Sequence, residues 1–172
     1  VRRAVAMRPQ PPTGWRDYAV ALVALPFVIL LSPLLLVVFI GVWLQRWIQG
    51  ARLKRRFRRV FGAQGKKAVL VYSDSPHWKD YIEVNMLPRI SDRVVTLNWS
   101  SRSEWKTNRS LEIEMFEHWA GKQEYNPMAI VVPRRGKVRL VRFWQAFREA
   151  KHGKEAKLRK LQEDLFHELE AA

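Results

Sequence analysis

Two hydrophobic patterns divide the chain. From Tyr18 to Leu44 there is no charged residue, and Leu, Val, Ile, Ala and Phe dominate. A helix of that length extends about 40 Å at about 1.5 Å per residue, enough to cross a hydrocarbon layer about 30 Å thick. A secretory signal has a shorter apolar core followed by small residues. This run instead ends in Trp43, Arg46 and Trp47, with Trp15 at its other end, flanks suited to a membrane surface. After residue 66 the pattern changes to short apolar runs punctuated by polar and turn residues, which predicts a folded α/β domain.

Within that domain, K-A-V-L-V-Y-S-D-S is Val-rich and ends in small polar residues, predicting a buried parallel strand that feeds a loop. Ser75 is the cap and Pro76 the first residue of a helix with Trp78, Tyr81, Ile82 and Asn85 on one stripe, ended by Pro88. R-V-V-T-L-N-W predicts a second strand. Leu111, Met115, Phe116 and Trp119 form the inward stripe of a second helix, closed by Gly121. M-A-I-V-V-P predicts a third strand, R-R-G-K a tight turn and V-R-L-V-R-F an exposed edge strand. The rest, from Trp144, predicts helix, divided at Gly153, with Leu158, Leu161, Leu165 and Leu169 on one face. The order β-α-β-α-β-β-α implies a three-layer α/β fold with right-handed crossovers. The expected organisation is a basic segment over 1–17, a membrane segment over 18–48, a polybasic helix and linker over 49–66, an α/β domain over 67–150 and a C-terminal amphipathic helix over 151–172.

Charge sharpens the picture. Among 172 residues, 31 Lys and Arg stand against 16 Asp and Glu, a net charge of +15, so an acidic partner is implied. The basic residues concentrate directly after the apolar run, in Arg46, Arg52, Lys54, Arg55, Arg56, Arg58 and Arg59, with no acid between Asp17 and Asp74. Such clusters face the cytoplasm and meet anionic lipid head groups. Leu53, Phe57, Val60 and Phe61 lie among them at helical spacing, which predicts a helix lying flat on the bilayer. Charge tied to the membrane border argues against nucleic acid. The chain has no cysteine, which removes disulfides, thiolate metal sites and a thiol nucleophile.

Pro26 and Pro33 interrupt the apolar run, and Arg2, Arg3, Arg8 and Arg16 precede it. A kinked crossing and a hairpin that returns to the same side both fit these residues. The stretch from Trp15 to Ile40 resembles the N-terminal membrane segment of the monotopic phosphoglycosyl transferases, on Arg16, Asp17, Ser32 and Pro33 over about residues 14–45. That resemblance implies a re-entrant helix broken at Ser32-Pro33, with both ends cytoplasmic at a bacterial inner membrane. The family's catalytic Asp-Glu pair does not follow here, so the resemblance extends to topology and not to sugar-phosphate transfer. Later in the chain, Asn126-Pro127 ahead of β-turn-β-α resembles the second half of a thioredoxin-like fold, though Ser-Pro-His-Trp stands where a redox motif would lie. A small Rossmann-like or flavodoxin-like sheet fits the early part equally well.

Open α/β sheets bind ligands beyond the carboxyl ends of their strands. Three loops are expected there, carrying Ser73, Asp74, Ser75 and His77, then Asn98, Ser100 and Arg102, then Arg134 and Arg135. The first combines hydroxyl, carboxylate and imidazole, but so close in sequence that capping a helix explains them more simply than a catalytic relay. The four histidines have no metal-ligand spacing, and no glycine-rich phosphate loop follows the first strand, so neither metal nor cofactor is expected. Trp99 and Trp105 beside Arg102, together with the Leu158–Leu169 stripe, predict a surface for a protein partner or a second copy. The functional expectation is a membrane-anchored cytoplasmic binding or assembly module. The alternative is an enzyme acting on an anionic or lipid-linked substrate at the rim.

Overall fold

The computed structural model describes residues 14–121 and 126–172, and of residues 15–31 the backbone alone. It divides the chain into two units, Val1–Trp47 and Ile48–Ala172. Helix α1, Trp15–Val60, contributes to both. Its stretch Ser32–Val60 is, among the described residues, the one helix long and apolar enough to cross a membrane by length and composition. Leu34, Leu35, Phe39, Trp43 and Trp47 are all exposed on it.

The helix continues through Ser32 and Pro33, where a break was expected. A proline inside a helix removes one backbone donor, whereas a turn would leave several backbone groups without partners in apolar surroundings. Arg2, Arg3 and Arg8, and the side chains of Trp15, Arg16, Asp17 and Pro26, lie outside the described residues.

The second unit is a mixed α/β domain. After α1 come β1 (Ala68–Tyr72), the short helix α2 (Lys79–Tyr81), a π-helical stretch Ile82–Met86 and α3 (Leu87–Ile90). Then follow β2 (Val94–Asn98), α4 (Leu111–Trp119), β3 (Met128–Val131), β4 (Arg139–Arg142), α5 (Trp144–Ala150) and α6 (Ala156–Ala171). The sheet order is β2-β1-β3-β4. β1 pairs with β2 in parallel and with β3 antiparallel, and β3 pairs antiparallel with β4. The mixed sheet departs from the parallel Rossmann-like alternative. The Asn126–Pro127 peptide immediately before β3 is cis.

Successive side chains of β1 point to opposite faces, and both faces are covered. Ala68 and Leu70 pack with Ile82, Met86, Ile90, Phe143, Leu158, Leu165 and Leu169 on one side. Val69 and Val71 pack with Leu53, Phe57, Ile113, Met115 and Phe116 on the other. This double coverage explains why β1 reads as an unbroken apolar run. Gly153, at φ 80, separates α5 from α6, in the left-handed region that glycine occupies without a Cβ penalty. Pro88 does not end its helix, which continues to Ile90. The wider π turn upstream gives room for the proline ring.

Two expected boundaries move. The domain begins at Ile48, inside α1, and not after the Gly62–Gly65 segment. Phe57 is 1 % exposed and Leu53 is also buried, so this face of α1 serves the domain core and is not available to lie on a bilayer. At the other end, α6 is the domain's own third-layer helix. Leu158, Leu165 and Leu169 are buried and Leu161 packs against them, so the stripe expected to meet a partner is occupied by the sheet.

Candidate functional site

The loops after β1 and β2 are tied together by a closed network. Asn98 Nδ2 donates to Asp74 Oδ2 at 2.9 Å, the Asp74 N–H donates to Ser100 Oγ at 2.9 Å, and the Ser100 N–H donates to Asn98 Oδ1 at 2.8 Å. Lys79 Nζ lies 2.9 Å from Asp74 Oδ1. The bond from Asn98, then that from Lys79, holds the Asp74 carboxyl below its ordinary range, so it remains an anion rather than a proton donor. Ser73 Oγ accepts from Trp78 Nε1 at 3.1 Å, and Ser75 Oγ accepts from the His77 N–H at 3.4 Å. These contacts join two loops and do not line up an acid, a base and a nucleophile. Helix α2 begins only at Lys79, after Trp78 and with no side-chain cap, so Ser75 and Pro76 form a turn ahead of the helix and are not its cap and first residue. The Ser75 carbonyl accepts from the Trp78 and Lys79 N–H groups.

The sign of the Asp74 shift gives a testable consequence. A carboxyl whose folded-state value is depressed contributes stability above its unfolded value, and that contribution disappears as pH falls through the folded one. The difference in thermal midpoint between the wild type and Asp74→Asn is therefore widest at neutral pH and closes on acidification below about 4. A pH series of circular-dichroism melts measures it. A gap that stayed constant with pH would show that the carboxylate charge contributes nothing.

The third expected loop is at the other end of the sheet. Because β3 runs antiparallel to β1, Val131 pairs with Ala68, and Arg134 and Arg135 follow the end remote from Ser73–His77. The carbonyls of Pro133 and Arg134 there accept from Arg58 Nη2. Nor do the loop tryptophans form a free surface. Trp99 and Trp105 are part-buried against the α1–α4 core. Trp105 stands edge-on to Phe116 at 5.4 Å, and Arg102 stacks over Trp99 at 3.9 Å.

The basic helix also divides into parts. Lys54 donates to the Gly136 carbonyl, Arg56 pairs with Glu114 at 2.7 Å, and Arg58 is held by the carbonyls named above. Arg52, Arg55 and Arg59, at helical spacing opposite Leu53 and Phe57, remain exposed as a basic stripe.

One concave feature was not anticipated. A groove of about 670 Å³ opens between the start of α2 and the α5–α6 corner. Trp78, Tyr81, Trp144, Phe147 and Leu158 line it, and His77, Arg148, Lys151, His152, Glu155 and Arg159 surround them. Tyr81 and Phe147 meet edge-on at 5.4 Å, and Trp78 tilts against Phe147 at 6.3 Å. Tyr81 donates from its hydroxyl to Gln162 Oε1 at 2.6 Å, and burial pushes its phenol above the ordinary value, so it remains neutral. The sequence signal was there: Trp144, Phe147, Arg148 and Lys151 follow i, i+3, i+4, i+7, and Trp78 and Tyr81 follow i, i+3. Among the described residues no group of three His, Asp or Glu side chains is arranged to hold a metal ion. Comparisons of the chain with protein-family models, with curated proteins and with solved structures return no match.

Proposed function

We propose that this chain is a membrane-anchored binding module that holds a small α/β domain at the cytoplasmic face of a bacterial inner membrane and docks a protein partner there. The observation that carries the reading is the pairing of a helix whose uncharged run is exposed from Ser32 to Leu44 with a domain that opens an aromatic and basic groove. The continuous helix favours a single crossing over a hairpin. More Lys and Arg follow the apolar run than precede it, which favours the domain being inside. Arg52, Arg55 and Arg59 then supply contacts to anionic head groups, each contributing about 1 kcal/mol near the surface. Pro127 ahead of β3, with β4 and two helices after it, supports a thioredoxin-like origin for the domain, with no thiol to carry redox chemistry.

Docking at the groove is tested in membranes. A photo-crosslinking amino acid at Lys151, on the groove rim, is compared with one at Lys106, in the loop between β2 and α4. A protein adduct from position 151 and none from 106 is the expected result. No adduct from either position, or equal adducts from both, overturns the docking reading.

A further inference from the structure

We infer that the groove takes an acidic peptide segment, an apolar side chain flanked by carboxylates, supplied by a protein partner; this rests on the docking reading above and names its ligand. The argument begins with the polar ends of the aromatic residues. Trp78 Nε1 is committed to Ser73 Oγ at 3.1 Å and the Tyr81 hydroxyl to Gln162 at 2.6 Å. Both rings therefore present carbon to the groove, and with Phe147 they form an apolar wall. The hydrogen-bonding groups stand on the rim, so the wall itself offers a small polar metabolite little to orient it. An apolar side chain finds a matching surface.

The rim decides the flanking chemistry. Arg148 stacks over Trp144 at 4.7 Å, and neither Arg148 nor Lys151 meets a carboxylate among the described residues. The nearby acids are already engaged: Glu149 by Lys157 at 2.8 Å and by Gln145, and Glu155 by Arg159 at 2.7 Å. Two uncompensated cations thus border an aromatic wall. The complementary ligand carries negative charge beside an apolar anchor. An open groove between two sets of helices admits a chain that enters and leaves, and its volume is within the range of ligand-binding clefts.

The test uses the full chain in neutral-detergent micelles and fluorescence anisotropy of labelled peptides. The probe has Phe-Leu at its centre and glutamates on both sides. One control replaces Phe-Leu by Gly-Gly, and a second replaces the glutamates by lysines. Saturable binding of the probe over both controls is expected, weakened roughly tenfold in the double variant Arg148→Glu, Lys151→Glu, a change of about 1.4 kcal/mol. Both side chains are exposed, so circular dichroism of the variant should match the wild type. Equal binding of the Gly-Gly control would show attraction to the basic chain in general and overturns the inference. Displacement of the probe by a long-chain fatty acid, with the peptide bound no better than its controls, would assign the groove to a lipid and also overturns it. A crosslinked partner at position 151 without peptide binding refutes the acidic ligand alone, whereas failure of both experiments refutes docking itself.

Discussion

Phe57→Ala is expected to destabilise the α/β domain by about 3–5 kcal/mol, the usual cost of deleting a buried aromatic side chain. Small domains have total stabilities of about 5–15 kcal/mol, so much of the margin disappears, and the thermal midpoint falls by roughly 10 °C or more. The size follows from position: Phe57 is 1 % exposed, its ring lies 5.2 Å from that of Phe61, and it belongs to the core over Val69 and Val71. Urea unfolding of the full chain in micelles, monitored by circular dichroism, gives the loss. Arg55→Ala, on the exposed face of the same turn, is the control and should change stability little. Were Phe57 instead inserted among lipids, its truncation would weaken membrane binding and leave the unfolding curve unchanged.

This prediction turns on the kind of information a hydrophobic stripe carries. Leu53 and Phe57 among arginines announce a helix with one apolar face, and the same pattern describes a helix on a bilayer and a helix on a sheet. The four leucines of α6 are ambiguous in the same way, since their spacing shows that a face is covered but not what covers it. In both cases the chain's own sheet is the cover, because β1 lies at the interior of the sheet and needs apolar partners on two sides. The strands themselves were legible, since short apolar runs bounded by turn residues mark β1, β2 and β3, and a polar–apolar pattern after a tight turn marks β4. Their directions were not, and that ambiguity placed Arg134 and Arg135 on the wrong rim. The groove was missed because its walls come from the start of α2 and from the α5–α6 corner, short elements distant in sequence that only the folded domain brings together.

Leu34→Arg combined with Leu35→Arg should release the chain from membranes. Both side chains are exposed on α1 within the charge-free run, where each arginine costs about 2.5–3.5 kcal/mol at mid-membrane. Two on adjacent positions point in different directions around the helix, so rotation cannot hide both from lipid. Neither residue belongs to the core of Ile48–Ala172, so the variant should retain the domain's unfolding transition while moving from the membrane pellet to the supernatant. The two readouts separate causes: loss from the pellet with the transition intact identifies the helix as the anchor, and loss of both would indicate misfolding. Continued retention would mean that the exposed stripe of Arg52, Arg55 and Arg59 suffices to hold the domain on anionic lipid. That electrostatic attachment would be released by salt, because exposed charges are screened beyond about 10 Å at 0.1 M ionic strength, whereas burial of apolar side chains is not screened. Washing the double variant at low and high salt therefore decides which physical force keeps this domain at the membrane.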